Sequence, residues 1–363
     1  MDAKLFSDRS INLSGKGLSI LLAAGLLLVA FLLDLQAGRS LFQGMLLPLG
    51  VCAALTAAVG SWAVPALRAL KAGQIIREDG PQAHLKKAGT PTMGGVFFIP
   101  VAVLIAVLWS GFDPNVIAVS ALTLSYAAIG LLDDWQIIRR KSNKGISPRM
   151  KLSLQVLFGA LFCLWMAQNE TLSFDKLVLP FGWVLPLGFL FLPIALFSLV
   201  AESNATNLTD GLDGLAGGTV AISLLGLSAL VAPTSPSLMI FCACLSGSCL
   251  GFLSHNRHPA RVFMGDTGAL ALGGALAAVA LLTQNLFALL ILSGLFLVET
   301  LSVMAQVSYY KATKGSDGIG RRLFKMSPFH NHLELSGWSE IQIVGTFYLV
   351  GLFLVFFCLA IYA

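Results

Sequence analysis

The sequence predicts an all-α, polytopic integral membrane protein. Hydrophobic residues make up 56% of the 363-residue chain and charged residues only 11%, whereas soluble domains carry about 25% charged residues. The mean hydropathy is +0.83. The apolar residues are gathered into stretches long enough to cross a bilayer of roughly 30 Å as helices. A bundle of membrane-spanning helices is therefore the expected fold.

Eleven candidate spans follow one another along the chain, or ten if the first is a signal anchor. They cover residues 18–35, 45–70, 93–110, 115–132, 150–168, 184–201, 214–232, 237–254, 268–283, 286–308 and 342–361. The first has a long apolar region without a good cleavage site, so we expect it to remain as a span. On this basis we divide the chain into residues 1–40, an N-terminal tail with an extra span, and residues 41–363, the polytopic domain.

The distribution of Lys and Arg predicts the orientation in the membrane. If the spans alternate, the N-terminus shares one side with the loops at 71–92, 133–149, 202–213, 255–267 and 309–341. All Lys and Arg residues except Arg39 and Lys176 then fall on that side. Because basic residues are enriched in cytoplasmic loops, this side is expected to be cytoplasmic.

Three groups of aspartates lie where apolar stretches end, all on the side expected to be cytoplasmic. They are Asp133 with Asp134, Asp210 with Asp213, and Asp266. A carboxylate at the end of a span can stay ionised, bind a hard cation and still reach a substrate that comes from water. Transporters instead carry ionisable residues or broken helices near the bilayer centre. The placement favours an enzyme over a transporter or flippase.

Two segments at span ends, residues 86–95 and the Asp133-Asp134 pair, have further candidate roles. Residues 86–95 combine two lysines, two threonines and exposed glycine amides at the start of a span, which suits a phosphate group; a basic anchor followed by a turn is the alternative. Asp133 and Asp134 precede a basic loop, so one is a candidate base and the other a candidate metal or substrate contact. Solvated residues at a membrane boundary are the alternative reading of this pair.

The segment from residue 204 to 216 is the most distinctive. Asp210 and Asp213 are three residues apart, so a helix starting near Thr209 would place both on one face, with Asn207 just before it. Asp266 stands at the start of another apolar helix, where capping of that helix is the alternative role.

Histidines occur in two of the predicted cytoplasmic loops. His330 and His332 follow a basic segment, and two neighbouring imidazoles beside basic residues suit a pyrophosphate or a metal-bound substrate. His255 and His258 flank Arg257 in another loop, and there we expect a solvated surface.

Five motifs follow one another along the chain: KKAGTPTMGG, LLDDW, NATNLTDGLDGLA, FMGDTGALALGG and PFHNHLELSGW. Together they resemble the phospho-N-acetylmuramoyl-pentapeptide transferase family, a branch of the polyprenyl-phosphate N-acetylhexosamine-1-phosphate transferase superfamily. The resemblance covers about residues 68–363. Relatives of this family have ten spans, so eleven would be one more.

The resemblance implies that undecaprenyl phosphate attacks UDP-N-acetylmuramoyl-pentapeptide, with Mg2+ bound, to give lipid I and UMP in peptidoglycan biosynthesis. It implies a multi-pass protein of the bacterial inner membrane with its active site on the cytoplasmic face. The partners are then the two substrates and membrane lipid, with no nucleic acid, and a homodimer stays open. The runner-up within the superfamily is a transferase of N-acetylglucosamine 1-phosphate.

The resemblance also assigns roles to residues of this sequence. The implied catalytic residues are Asp133, Asp134, Asp266 and His330. The implied substrate-binding residues are Lys87, Thr92, Asn207, Asp210, Gly211, Asp213, Asn256, Phe263, Gln306 and His332. Asp266 and Asp210 are the implied metal ligands, Phe263 is a stacking surface for uracil, and Asp133 handles the lipid phosphate. Direct attack is favoured over a route through an aspartyl phosphate on Asp133.

Two positions depart from the family pattern. The usual three consecutive histidines are His330-Asn331-His332 here, so the central imidazole is replaced by an amide that keeps hydrogen bonding but has no charge. Ile137 stands where relatives often carry a lysine. Lys141 and Arg149 are the nearby basic residues expected to compensate.

Overall fold

The computed structural model of the protein describes residues 14–70, 87, 89–142, 144–169 and 176–362. Within these residues the chain forms thirteen α-helices and one two-stranded antiparallel ribbon. The helices are α1 (Gly15–Gln36), α2 (Leu46–Ala69), α3 (Gly95–Trp109), α4 (Pro114–Arg140), α5 (Pro148–Gln168), α6 (Phe191–Thr209), α7 (Leu215–Val231), α8 (Pro236–Asn256), α9 (Gly265–Leu282), α10 (Leu286–Leu292), α11 (Gly294–Ala312), α12 (Phe329–Glu334) and α13 (Glu340–Tyr362). The strands are β1 (Lys176–Val178) and β2 (Val184–Pro186).

The predicted all-α, multi-pass membrane architecture is confirmed. Among the described residues, eight helices are long and apolar enough to cross a membrane, and a bent pair, α10 with α11, is a ninth candidate. The shorter apolar helices α3 and α7 coincide with two more of the predicted spans. The number of spans, ten or eleven, remains a prediction, as does the division at residue 40.

Helix starts follow local sequence signals. Asp113 caps α4, because its Oδ1 accepts hydrogen bonds from the amides of Asn115 at 2.9 Å and Val116 at 3.2 Å, and Pro114 takes the first helical position, where its missing N–H has no cost. Ser147 caps α5 in the same way, accepting from the Met150 amide at 3.2 Å.

Two predicted boundaries are wrong in a way that matters for the site. Helix α4 continues past its predicted end at residue 132 to Arg140, so Asp133 and Asp134 lie on the helix itself. Residues 184–186 form a ribbon with 176–178 in place of a span. Helix α6 therefore begins at Phe191 and runs to Thr209, which places Asn207 in its last turn.

The centre of the bundle is formed by α8 and α9. Helix α8 packs between α2 and α7, and α9 packs between α4 and α6. Glycine allows the closest of these approaches: a Cβ on Gly130 of α4 would overlap the backbone at Asp266, where α9 begins. Asp133 and Asp134, one turn further along α4, are thereby brought beside Asp266.

The predicted span at 286–308 is two helices, α10 and α11, bent by 75° at Ser293. Side chains bind the groups at the break: the Ser223 hydroxyl donates to the Leu292 carbonyl at 2.8 Å, and the Ser293 hydroxyl donates to Glu202 Oε1 at 2.6 Å. The Ser293-Gly294 pair is a local signal for a sharp bend, whereas the partners that bind the groups at the break come from neighbouring helices. The bend directs α11, which carries Glu299 and Gln306, away from the line of α10.

Candidate active site

A five-residue turn, 210–214, connects α6 to α7 and is the centre of the candidate site. The predicted helix start near Thr209 is wrong, since α6 ends there and α7 starts at Leu215. Gly214 has a φ of 83°, a left-handed conformation that glycine adopts at little cost. Its amide donates to Asn256 Oδ1 at 3.0 Å and its carbonyl accepts from the Tyr348 hydroxyl at 2.7 Å, so α8 and α13 hold the turn.

Because 210–214 is a turn, its two aspartates do not share one helical face. Asp210 faces Asp266 and Asp134, and it accepts a hydrogen bond from the Gly265 backbone. Asp213 faces away from them toward Lys87, with Nζ to Oδ1 at 2.8 Å. Gly211 lies between the two and packs directly against the His330 ring. Three groups of predicted site residues thus meet at one turn.

The first group is a cluster of carboxylates from α4, α9 and the turn. Asp134 Oδ1 accepts from the Asp266 amide at 3.2 Å, and its Oδ2 accepts from the Thr267 amide at 3.0 Å and the Thr267 hydroxyl at 2.6 Å. Asp134 therefore caps α9 from a neighbouring helix. The alternative in which Asp266 caps its own helix is wrong, because the Asp266 carboxylate points to other partners.

Those partners of Asp266 are an amide and a cation. Asn207 Nδ2 donates to Asp266 Oδ1 at 2.7 Å, and the Lys151 ammonium forms an ion pair with Oδ2. Asp133 lies on the same side, with Oδ1 accepting from the Ile146 amide at 2.9 Å. Sequence reasoning missed Lys151, which lies in the first turn of α5 among residues assigned to an apolar span.

The electrostatics of this cluster favour a cation. Burial, and then repulsion by the Asp266 and Asp134 carboxylates, raise the pKa of Asp210 to about 7. Carboxylate oxygens are the donors that Mg2+ prefers, and the four converging aspartates offer them. The chemistry of this donor set fits a divalent cation, with Asp266 and Asp210 as its predicted ligands.

The second group surrounds Lys87. Its ammonium pairs with both Asp213 and Glu340, and His258 Nδ1 lies 3.2 Å from Asp213 and 2.6 Å from Glu340. Burial lowers the pKa of Lys87, but the Glu340 and Asp213 carboxylates outweigh it and the net pKa is raised. The prediction of a solvated surface is wrong for His255, which is buried against the Ala57 carbonyl. His258 keeps a side chain that is 37% exposed and also joins this cluster. Glu340 was also missed.

The third group centres on His330, which is buried on α12. Its Nδ1 lies 3.0 Å from Glu299 Oε2, a carboxylate of α11 that is also fully buried. The pairing could not be read from the sequence, because the two residues come from different helices.

Backbone bonds join the two motifs that begin α3 and α9. The Phe263 amide donates to the Pro91 carbonyl at 2.8 Å, and the Phe263 and Met264 carbonyls accept from the Gly94 and Gly95 amides at 2.9 Å and 3.1 Å. The Gly94 and Gly95 amides are therefore engaged, and the expectation that they are exposed for a phosphate is wrong for these two glycines. Thr92 is buried where these segments meet and packs against Gly265.

Gln306 and His332 lie apart from the carboxylates. The Gln306 side chain accepts from the amides of Leu323 and Phe324 at 3.0 and 2.8 Å and donates to the Phe324 carbonyl at 3.1 Å. His332 Nδ1 accepts from the Lys325 amide at 3.2 Å. Both side chains shape the loop before α12, and their substrate-binding roles remain predictions.

Comparison with known proteins decides the family. A relative from Trichormus variabilis named phospho-N-acetylmuramoyl-pentapeptide-transferase is 68% identical over 99% of both chains. A protein of the same name from a Nostoc species is 68% identical over 99% of both chains. Another, from Nostoc punctiforme, is 67% identical over 99% of this chain and 100% of its own. The chain belongs to the phospho-N-acetylmuramoyl-pentapeptide transferase family.

Two family models match parts of this transferase chain. Signature 1 of the phospho-N-acetylmuramoyl-pentapeptide transferases covers residues 87–99, including Lys87 and Thr92. The model described as glycosyl transferase family 4 covers residues 116–284, which include the four clustered aspartates. His330 and Glu299 lie outside both models but within the length shared with the relatives.

Proposed function

We propose that this protein transfers phospho-N-acetylmuramoyl-pentapeptide from UDP-N-acetylmuramoyl-pentapeptide to undecaprenyl phosphate, giving lipid I and UMP. Full-length similarity to transferases of that name supports the reaction. The structural observation that carries it is the convergence of four motifs on the 210–214 turn, which belongs to the fifth. A site for joining two phosphates needs positioned charges on several sides, and this convergence supplies them.

The nucleotide side of the site is assigned to the Lys87 group. Lys87 and Asp213 offer a cation and an anion, and Asn256 binds the turn that carries Asp213. Phe263 is half-buried and follows Val262, whose carbonyl accepts from the Asn256 side chain, and an aromatic ring there suits stacking on uracil. We assign the lipid phosphate to the Asp133 side, where α4 and α5 meet.

The transfer needs no covalent intermediate. Phosphoryl transfer depends mainly on positioning and on neutralising negative charge, and Lys151 and His330 bring polar or cationic groups to the cluster. Asp133 is proposed to orient or deprotonate the lipid phosphate, with Asp134 fixing the position of Asp266. We favour direct attack of the lipid phosphate on the β-phosphate of the nucleotide.

Mg2+ is the proposed cofactor. Asp266 and Asp210 would hold it, because they present carboxylate oxygens in a cluster that is otherwise crowded with negative charge. When bound, the ion supplies neutralisation of the charge that develops on the phosphates. In the structure, the Lys151 ammonium neutralises part of the negative charge of the cluster by pairing with Asp266. We expect Lys151 to shift toward Asp133 or the substrate on cation binding.

The membrane setting is proposed from charge. The protein is multi-pass, and the basic loops that carry the site are proposed to face the cytoplasm at the bacterial inner membrane, by the positive-inside bias. UDP-N-acetylmuramoyl-pentapeptide would then reach the site from water and undecaprenyl phosphate from the bilayer. A homodimer is proposed as the assembly to test for, and no nucleic acid is expected to bind.

The reaction is tested with purified protein, Mg2+ and undecaprenyl phosphate. UDP-N-acetylmuramoyl-pentapeptide and UDP-N-acetylglucosamine are supplied in separate reactions, and UMP is measured. We expect UMP and a lipid-linked product from the first substrate only. UMP from the second would assign the chain to N-acetylglucosamine 1-phosphate transfer, and no UMP from either would contradict a transferase role.

A further inference from the structure

Glu299 and His330 form a buried pair whose function is not explained by packing alone. Glu299 is 0% exposed and His330 is 1% exposed. Two nitrogens of His330 converge on the one carboxylate: the backbone amide lies 3.2 Å from Oε1 and 3.4 Å from Oε2, and the ring Nδ1 lies 3.0 Å from Oε2. A carboxylate so deep in a protein is retained only at a cost, which suggests a specific role.

This geometry determines which ring nitrogen carries the hydrogen. The backbone N–H can only donate, and an ionised carboxylate can only accept. If Glu299 carried a proton on Oε2, that proton would lie near the backbone N–H of His330, which is itself a donor, as well as near Nδ1. The ionised form of Glu299 therefore fits the contacts best. Nδ1 must then carry a hydrogen, and in the neutral ring Nε2 has none.

The other ring nitrogen faces the candidate site. A methyl group on Gly211 would overlap His330 Nε2, so this nitrogen lies directly against the 210–214 turn. We propose that Glu299 is a positioning residue, which holds the neutral His330 ring in the Nδ1–H tautomer and presents the Nε2 lone pair to the turn that carries Asp210 and Asp213.

The tautomer decides what His330 can offer a substrate. With Nδ1–H committed to Glu299, a neutral ring accepts a hydrogen bond or a proton at Nε2 but cannot donate one there. Donation to a phosphate oxygen from Nε2 requires the doubly protonated, cationic ring. His330 is thus restricted to being a neutral acceptor or a charged donor. This consequence for turnover rests on the proposed function, whereas the tautomer itself does not.

Glu299→Gln is the test variant, because it keeps the size of the side chain and removes one acceptor. The amide has a single oxygen, which the backbone N–H of His330 requires, so its NH2 group faces Nδ1. Nδ1 must then accept, and the hydrogen moves to Nε2. The matched control is Glu202→Gln on α6, since Glu202 accepts only from the Ser293 hydroxyl among the contacts described for it and a glutamine oxygen accepts equally well.

The measurement is 15N NMR of full-length protein labelled at its five histidines, with His330 assigned by the signal lost in His330→Asn. The tautomer is read at the alkaline end of a titration, where the ring is neutral. We expect Nδ1–H in the wild type and Glu202→Gln, and Nε2–H in Glu299→Gln. An Nε2–H tautomer in the wild type would overturn the proposal even if the variant does not fold.

Turnover supplies the second readout. Loss of the group that orients a metal-bound histidine typically costs about 10- to 100-fold. We expect a fall of similar size in kcat of Glu299→Gln, with a nearly unchanged KM for the uridine substrate. Glu202→Gln should stay within about two-fold. A changed tautomer with wild-type kcat would remove Glu299 from the catalytic machinery. If the wild type itself releases no UMP, the proposed function fails, and the NMR result still stands or falls separately.

Discussion

Asp134 fixes the position of Asp266 by binding the first turn of its helix. The Asp266 amide donates to Asp134 Oδ1 at 3.2 Å, and the amide and hydroxyl of Thr267 donate to Oδ2 at 3.0 and 2.6 Å. Because Asp134 lies on α4 and Asp266 on α9, these bonds join two helices at the candidate site. The neighbouring Asp133 takes no part in this cap and lies on the side of α5, where its Oδ1 accepts from the Ile146 amide.

The first prediction follows from that cap. Asp134→Ala removes three hydrogen bonds, and loss of a helix cap costs about 0.5 to 2 kcal/mol. We expect a lower unfolding midpoint and a strong loss of turnover, with Asp134→Asn intermediate because it keeps one acceptor oxygen. Thermal unfolding in detergent measures this. An alanine variant as stable as the wild type would show that the cap contributes nothing.

The second prediction concerns the metal. Asp266→Asn should abolish Mg2+-dependent turnover while the protein still inserts and purifies, because the amide has no negative charge with which to attract the cation and the Asp134 cap is untouched. Asp317→Asn, in an exposed loop, is the control for the same chemical change. Full activity in the Asp266 variant would rule out its role as a metal ligand.

The third prediction separates the two substrates. Asp133 lies on the α5 side and Asp213 pairs with Lys87. Asp133→Asn should therefore reduce turnover strongly and leave binding of a uridine nucleotide nearly intact, whereas Asp213→Asn should weaken that binding. Calorimetric titration with UMP distinguishes them. Loss of UMP binding in the Asp133 variant would move Asp133 to the nucleotide side.

The fourth prediction concerns the loop in which asparagine replaces the central histidine. A charge-assisted contact is worth roughly 1.5 to 3 kcal/mol, against about 1 for a neutral hydrogen bond. His330→Ala should therefore lower turnover ten-fold or more, which is about 1.4 kcal/mol in the barrier. Asn331→His should change turnover little. Equal rates for wild type and His330→Ala at saturating substrates would leave this loop with a structural role.

The fifth prediction is a coupling between Lys87 and Glu340. Lys87→Met leaves the Asp213 and Glu340 carboxylates without their shared cation, so it should destabilise the protein; adding Glu340→Gln removes one of the two stranded charges. We expect the pair of changes to be less destabilising than their sum, by about 0.5 to 3 kcal/mol. Unfolding of the four proteins in the cycle measures this. Additive effects would show that the ion pair is not coupled.

The fold class and the segments that form the site could be predicted from the sequence better than the contacts between residues of the site. Apolar stretches separated by basic loops are enough to predict a membrane bundle, because the bilayer imposes helix length. The partners Lys151, Glu299 and Glu340 were not identified, because each lies on a helix distant in sequence from the residue it pairs with. The turn at 210–214 was predicted as a helix start because Asp210 and Asp213 are three residues apart, a spacing that places both on one helical face, and the bonds to Asn256 and Tyr348 hold the turn that forms in its place.

The most direct test of the whole account is a single-turnover reaction with labelled UDP-N-acetylmuramoyl-pentapeptide, undecaprenyl phosphate and Mg2+. Purified wild-type protein in excess should convert the label into a lipid-linked product and release one UMP for each product formed. The same reaction with Asp266→Asn, or with Mg2+ removed by a chelator, should give neither. Equal product from the Asp266 variant, or UMP without any lipid-linked product, would contradict a transferase centred on this aspartate cluster.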